Sequence, residues 1–108
     1  MGFAADYQEA QPERADVDAT AGPVLVEVGS PTCGHCRRAR PLVEAAMRAH
    51  PGVAHVKVAD GPGRPFGRSF RVKLWPTLVF MKDGAVVETL VRPTDEAAIA
   101  AALEKIDR

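Results

Sequence analysis

The run Val24-Leu25-Val26-Glu27-Val28 lies between Pro23 and Gly29, and Cys33-Gly34-His35-Cys36 follows it almost at once. A short apolar run between two breakers reads as a buried strand. From Cys33 to about Ala49, residues Cys36, Ala39, Val43, Ala46 and Met47 share one helical stripe. Pro41 falls inside that helix, removes a backbone donor and predicts a kink. Pro51-Gly52 ends the helix, and a second strand is expected over Val53 to Ala59. Its Val56 and Val58 face one side, His55 and Lys57 the other. A strand that runs into a helix and then into another strand restricts the chain to layered α/β architectures.

The remaining elements complete that layering. Gly61-Pro62-Gly63 opens a loop, and a weak helix is expected around Pro65 to Phe70. Pro76 to Met81 reads as a strand, Asp83-Gly84 as a hairpin turn, and Ala85 to Val91 as the returning strand. Thr94 is expected to cap the last helix, with Asp95 and Glu96 favourably placed for its dipole. Ile99, Leu103 and Ile106 give this helix an apolar face. Strands joined through helices are expected to be parallel neighbours or near-neighbours, and the hairpin adds antiparallel ones. The expected fold is a mixed sheet with helices on both faces. Residues 1–22 are polar and Ala-rich, broken by Pro12 and Gly22-Pro23, and read as an arm or short helix of the domain formed by residues 23–108.

Bulk properties exclude several function classes. The 108 residues carry a formal net charge of zero, which gives no support to nucleic-acid binding. No apolar run approaches the roughly 20 residues that span a bilayer. The N-terminal residues lack the basic and apolar regions of a secretory signal, so a reducing cytoplasm is expected. There a close thiol pair is catalytic, redox-sensing or metal-binding more readily than a permanent bridge. Structural zinc takes four protein ligands, and the chain has only two cysteines. His50 and His55 read as a helix-end and a strand-surface residue, so no metal is expected.

The spacing of the two cysteines allows them to close a disulfide across the first turn of a helix. Thiolates, not thiols, attack disulfides, and a free cysteine with a pKa near 8.5 is only about 3% ionised at pH 7. At a helix N-terminus, unpaired N–H groups and the dipole favour the anion. A downward shift of roughly 1.5 units, about 2 kcal/mol, would ionise half of it. Cys33 is therefore expected to be the nucleophile. Cys36, one turn deeper on the apolar stripe, would resolve the mixed disulfide.

Two separate motifs carry a resemblance. Cys33-Gly34-His35-Cys36 with Pro41, and Leu74-Trp75-Pro76-Thr77-Leu78-Val79-Phe80 with Lys82-Asp83-Gly84, resemble the two signatures of the thioredoxin family. The resemblance covers roughly residues 23–107. It implies a thioredoxin-like fold and a thiol-disulfide oxidoreductase that acts on protein disulfides without metal or organic cofactor. It also implies a monomer that receives electrons from a dithiol or a flavoprotein reductase. Trp75-Pro76 would be a cis peptide facing the dithiol, and the backbone of Trp75 would pair with an extended substrate segment beside Thr77. Glu27 matches the family's buried acid, usually Asp, whose implied role is proton transfer with the resolving cysteine. Lys57 is a candidate neighbour for it. The alternative for Glu27 is a side chain reaching solvent at a strand end.

Other positions depart from the pattern. Ordinary thioredoxins have Pro at the position of His35, whereas protein disulfide isomerases share C-G-H-C. A cationic His35 would stabilise the Cys33 thiolate. Arg37, Arg38 and Arg40 read as a solvated basic face. Thr32 replaces the family's Trp, and Arg92-Pro93 replaces a small glycine beside the substrate groove. These changes bear on substrate range and on Gly34, Trp75, Pro76 and Arg92 as groove residues. They keep open a second function, an adaptor or chaperone module on the same fold with little general reductase activity.

Overall fold

Along the first strand Val24, Val26 and Val28 point to one side, while Leu25 and Glu27 point to the other, and this alternation separates two cores. The computed structural model describes residues 2–108. Its elements in chain order are α1 (Arg14–Asp18), β1 (Pro23–Gly29), α2 (Gly34–Met47), β2 (Ala54–Ala59), α3 (Phe66–Ser69), β3 (Thr77–Lys82), β4 (Ala85–Val91) and α4 (Glu96–Ile106). The strands form one sheet in the order β2-β1-β3-β4.

Helices cover both faces. On one side Val43, Ala46 and Met47 of α2 and Ile99, Ala102, Leu103 and Ile106 of α4 pack on Leu25, Leu78 and Phe80. On the other, Val17 of α1 and Phe66 of α3 pack on the valines of β1 with Val79 and Met81. Burying a Leu, Ile or Phe side chain contributes about 2 kcal/mol, so the α2–α4 face is the main source of stability. The helix α2 runs through Pro41 as one element.

The strand directions correct one expectation. β1 and β2, joined through α2, are parallel with Glu27 opposite Lys57. β3 follows β2 through α3 but runs antiparallel to β1, and hence to β2. α3 has only four residues, about 6 Å of helix, too short to return the chain along a strand of six residues. The β3–β4 hairpin turns at Asp83-Gly84 as expected. The last helix is capped by Asp95, not Thr94. Asp95 is the extended residue, and its carboxylate accepts from Ala97 N at 2.9 Å. His50 ends α2 as expected, buried, with Nδ1 2.6 Å from Asp107 Oδ2.

The N-terminal arm packs along the sheet edge. Gly2 bridges Ala54 and Gln8 bridges Val58, both in parallel fashion. This covers the β2 face carrying His55 and Lys57, with the Phe3 ring centroid 5.6 Å from that of His55.

Candidate active site

Gly29 ends β1, and the chain turns through Ser30-Pro31-Thr32 into α2. Cys33 is the extended N-cap residue of that helix, so its side chain sits where the helix N–H groups are unpaired. Gly34 opens the helix; a β-carbon there would touch only Arg38 Nη1, at 3.5 Å. Both cysteines are free thiols, Cys33 half-exposed and Cys36 buried. The Ser30 N–H points at Cys36 Sγ, 3.5 Å away.

The two thiols are poised in opposite directions. Burial, the largest single influence, pushes Cys33 up. The Cys36 backbone N–H and thiol, the His35 backbone N–H and the Arg92 charge outweigh it, and Cys33 lies below an ordinary thiol. Cys36 is raised, first by burial and then by its proximity to Cys33, against the Tyr7 hydroxyl and the Ser30 N–H, which favour its thiolate form. The exposed, more acidic thiol therefore precedes a buried, less acidic one.

Trp75-Pro76 is a cis peptide. Trp75 is half-buried rather than part of the core, and its indole N–H donates to Asp60 Oδ2 at 2.9 Å. Pro76 and Thr77 are buried, with Thr77 Oγ1 donating to Leu74 O at 2.7 Å. Arg92 stands with φ +49°, its N–H on Pro76 O at 2.9 Å and its Nε on Trp75 O at 2.8 Å. Arg92, His35, Arg38 and Leu42, with Pro93 and Thr94, line a cleft of about 300 Å³.

The surroundings of His35 work against its cationic form. Its pKa is lowered, first by the Arg92 charge, then by desolvation and by Arg38. Arg38 Nη2 lies 2.9 Å from His35 Nδ1, and a guanidinium can only donate, so the imidazole accepts. His35 is therefore less readily protonated than an ordinary histidine, and the Arg92 charge contributes to lowering Cys33.

Glu27 is completely buried, and does not reach solvent at the strand end. Three groups surround its carboxylate. His55 Nε2 lies 2.9 Å from Oε1, the Tyr7 hydroxyl 3.1 Å from Oε2, and Lys57 Nζ 4.0 Å from Oε2. Lys57 also donates to Ala5 O at 3.0 Å. His55 is thus no surface residue: its side chain is fully buried beneath the arm. The Ala4 N–H donates to His55 Nδ1 at 2.8 Å, so the imidazole proton sits on Nε2 and points at Glu27.

Tyr7 and His55 are the site neighbours that sequence reading missed. Tyr7 lies in the arm, and no periodicity or motif connects it to the dithiol. Its hydroxyl stands beside Cys36 Sγ: a β-carbon on Gly29 would meet Tyr7 Oη at 2.5 Å and Cys36 Sγ at 2.7 Å. Burial and the adjacent Glu27 charge raise Tyr7, which stays protonated. Arg37 and Arg40 are exposed and, with Tyr7, Cys36 and Lys57, line a second cleft of about 190 Å³.

The sequence that builds this dithiol and this cis X-Pro peptide is matched by a known family model. The thioredoxin model covers residues 7–105. The chain belongs to the thioredoxin family. It is 34% identical to thioredoxin 1 of Synechococcus elongatus over 77% of this chain and 78% of that protein. A thioredoxin of Mycolicibacterium smegmatis is 33% identical, with 78% of each chain covered. The structure of reduced thioredoxin 2 from Pseudomonas aeruginosa superimposes with a TM-score of 0.82, at 48% identity over 92% of each chain. As a thioredoxin-family member the chain is a thiol-disulfide oxidoreductase that acts on protein disulfides. The adaptor alternative is not favoured. Among the described residues no group of three or more His, Cys, Asp or Glu could hold a metal ion. No helix there is long and apolar enough to cross a membrane.

Proposed function

We propose that this chain reduces disulfides in protein substrates, with Cys33 as nucleophile and Cys36 as resolving thiol. The opposite poise of the two thiols at one helix N-terminus carries this reading. The lowered, half-exposed Cys33 is the thiol an incoming disulfide meets first. Its thiolate attacks one substrate sulfur, and the other sulfur leaves. Cys36 then gives up its proton, attacks Cys33 Sγ and releases the second substrate thiol. Glu27, buried beneath the dithiol, takes part in that proton transfer.

The groove residues act on the substrate chain. An extended segment pairs with the backbone of Trp75 across Pro76 and Thr77, next to Gly34 and His35. Arg92 holds the Trp75 carbonyl, so an arriving N–H must share that oxygen with its guanidinium or displace it. Together with Thr32, this narrows the range of substrates. The working unit includes the arm as well as residues 23–108, because Tyr7 and Ala4 contact the buried carboxylate network. The protein works as a monomer in the cytoplasm, in electron transport and redox homeostasis. It needs neither metal nor organic cofactor, and a dithiol or flavoprotein reductase supplies its electrons.

Dithiothreitol-driven reduction of insulin tests the reading. The wild type accelerates it, Cys33→Ser abolishes it, and Cys36→Ser traps a mixed disulfide through Cys33. A wild-type rate equal to the dithiothreitol background would refute reductase activity. Trapping only in Cys33→Ser would reverse the thiol roles. Equilibration with glutathione fixes the direction of electron flow: a potential near −270 mV marks a reductase, and one near −180 mV an isomerase or oxidant.

A further inference from the structure

The side chains beneath the dithiol form a directed chain of hydrogen bonds whose polarity can be assigned atom by atom. The Ala4 N–H can only donate, so it fixes His55 Nδ1 as an acceptor. His55 Nε2–H then donates to Glu27 Oε1, which orients the carboxylate and leaves Oε2 for Tyr7. Tyr7 has a single hydroxyl proton, and while Cys36 is a thiol it points at Oε2. The Tyr7 oxygen is therefore free to accept from the neighbouring Cys36 thiol. Gly29 permits this approach, since a side chain there would collide with both Tyr7 Oη and Cys36 Sγ.

We propose that Tyr7 is a catalytic proton relay between Cys36 and Glu27. This rests on the reading of Cys36 as the resolving thiol and specifies how it is deprotonated. In the mixed disulfide, Cys36 S–H passes its proton to Tyr7 Oη as the Tyr7 O–H proton moves to Glu27 Oε2. The Cys36 thiolate attacks Cys33 Sγ and forms the Cys33–Cys36 bond. The bond from Cys33 to the substrate sulfur breaks, and its electron pair leaves on that sulfur, which takes a proton from solvent. Glu27 now holds the proton that Cys36 lost. Reduction of the Cys33–Cys36 disulfide by an external dithiol runs the relay backwards and returns it. Tyr7 is never ionised, because one proton arrives as the other departs, and this suits a phenol that burial keeps protonated.

The relay also explains the arm. Residues 2–8 run beside β2 and bring in the Tyr7 hydroxyl, the Ala4 N–H and the Ala5 carbonyl that holds Lys57. Lys57 Nζ lies 4.6 Å from the centre of the Tyr7 ring, which holds the phenol in place without using its hydroxyl.

Tyr7→Phe keeps the ring and removes only the relay oxygen. Its effect is read in rapid-mixing experiments on a disulfide peptide, with acid quenching and mass spectrometry of the Cys33 mixed disulfide. The quantity of interest is the ratio of resolution rate to attack rate. At pH 7 this ratio falls about 100-fold in Tyr7→Phe. The variant's resolution rate climbs with pH well beyond the point where the wild type levels off. Glu27→Gln produces the same loss, and the double variant is no slower than either single one. An unchanged ratio, or equal falls in both rates, overturns the relay alone. A wild type that forms no Cys33 mixed disulfide overturns the exchange reading and the relay with it. A test without substitution is the wild-type resolution rate in mixtures of light and heavy water. Two protons in flight give a curved dependence on deuterium fraction, and a straight line overturns the relay.

Discussion

Arg92 Nε donates to the carbonyl oxygen of Trp75 at 2.8 Å, so a guanidinium occupies the backbone acceptor beside the cis peptide. Arg92 does this with φ +49°, a conformation that glycine adopts without strain. The same charge is the leading cause of the lowered His35 pKa and contributes to lowering Cys33. One side chain thus links the backbone beside the cis peptide to the electrostatics of Cys33.

Arg92→Gly removes these effects together. NMR titration of His35 moves upward, towards an ordinary histidine. The alkylation pKa of Cys33, measured by iodoacetamide in a Cys36→Ser background, also moves upward. Stability changes little, because the lost hydrogen bond, about 1 kcal/mol, is offset by relief of backbone strain of similar size. An unmoved His35 titration would show that the Arg92 charge does not reach the site.

The two thiols give the reduced protein opposite pH dependences. Cys33 is lowered on folding, so its contribution is present above the ordinary thiol value near 8.5 and lost as pH falls through its folded value. Cys36 is raised, so its contribution is complete below about 8.5 and lost as pH rises towards its folded value. Urea unfolding under reducing conditions measures both. Relative to Cys33→Ser, the wild type gains stability as pH rises towards 8.5. Relative to Cys36→Ala, it loses stability above 8.5. The same sign of slope for both pairs would contradict the assignment.

The buried carboxylate network responds differently to removal and to replacement. Glu27→Ala leaves the His55 N–H and the Tyr7 hydroxyl without their acceptor and buried Lys57 without its counter-charge, and costs about 3–5 kcal/mol in urea unfolding. Glu27→Gln keeps an acceptor and costs less, about 1–3 kcal/mol. Equal losses would show that the network contributes little beyond shape.

The hairpin turn is braced against the end of α1. A β-carbon on Gly84, which has φ +82°, would collide with the Asp18 carbonyl oxygen. Gly84→Ala therefore costs about 3 kcal/mol. Gly22 has φ +83°, and a β-carbon added there would meet nothing within 4 Å. The same change at Gly22 costs only about 1 kcal/mol. Thermal melts of the two variants compare them directly.

Much of this protein was legible locally. The strand Val24–Val28, the stripe from Cys36 to Met47 and the Asp83-Gly84 turn are set by neighbours in sequence, and the structure places them within a residue or two. Cys33 and Cys36 were legible for the same reason, since their spacing fixes both on one helix turn. The strand directions were less so: α3 looked like a crossover helix, and only its length of four residues excludes that. Asp95 displaced Thr94 as cap because capping depends on which residue turns extended, a matter of a single backbone angle.

The surroundings of the dithiol were decided by contacts between distant segments. Sequence by itself determined the thiol pair, its helix, the two signatures and the presence of an acid on β1. It could not determine that the arm would lie along β2, for the arm is polar and without period, and its hydrogen bonds are made to residues some 50 positions away. That placement buries His55, aims it at Glu27 and sets Tyr7 between Glu27 and Cys36. Likewise the pattern marked Arg92 only as a departure. The tertiary structure put its guanidinium on Trp75 and its charge near His35, which lowers the imidazole's pKa. Local spacing specifies helices, strands and reactive groups; burial and charge at a site are sums over everything packed around it, and only the folded chain supplies that sum.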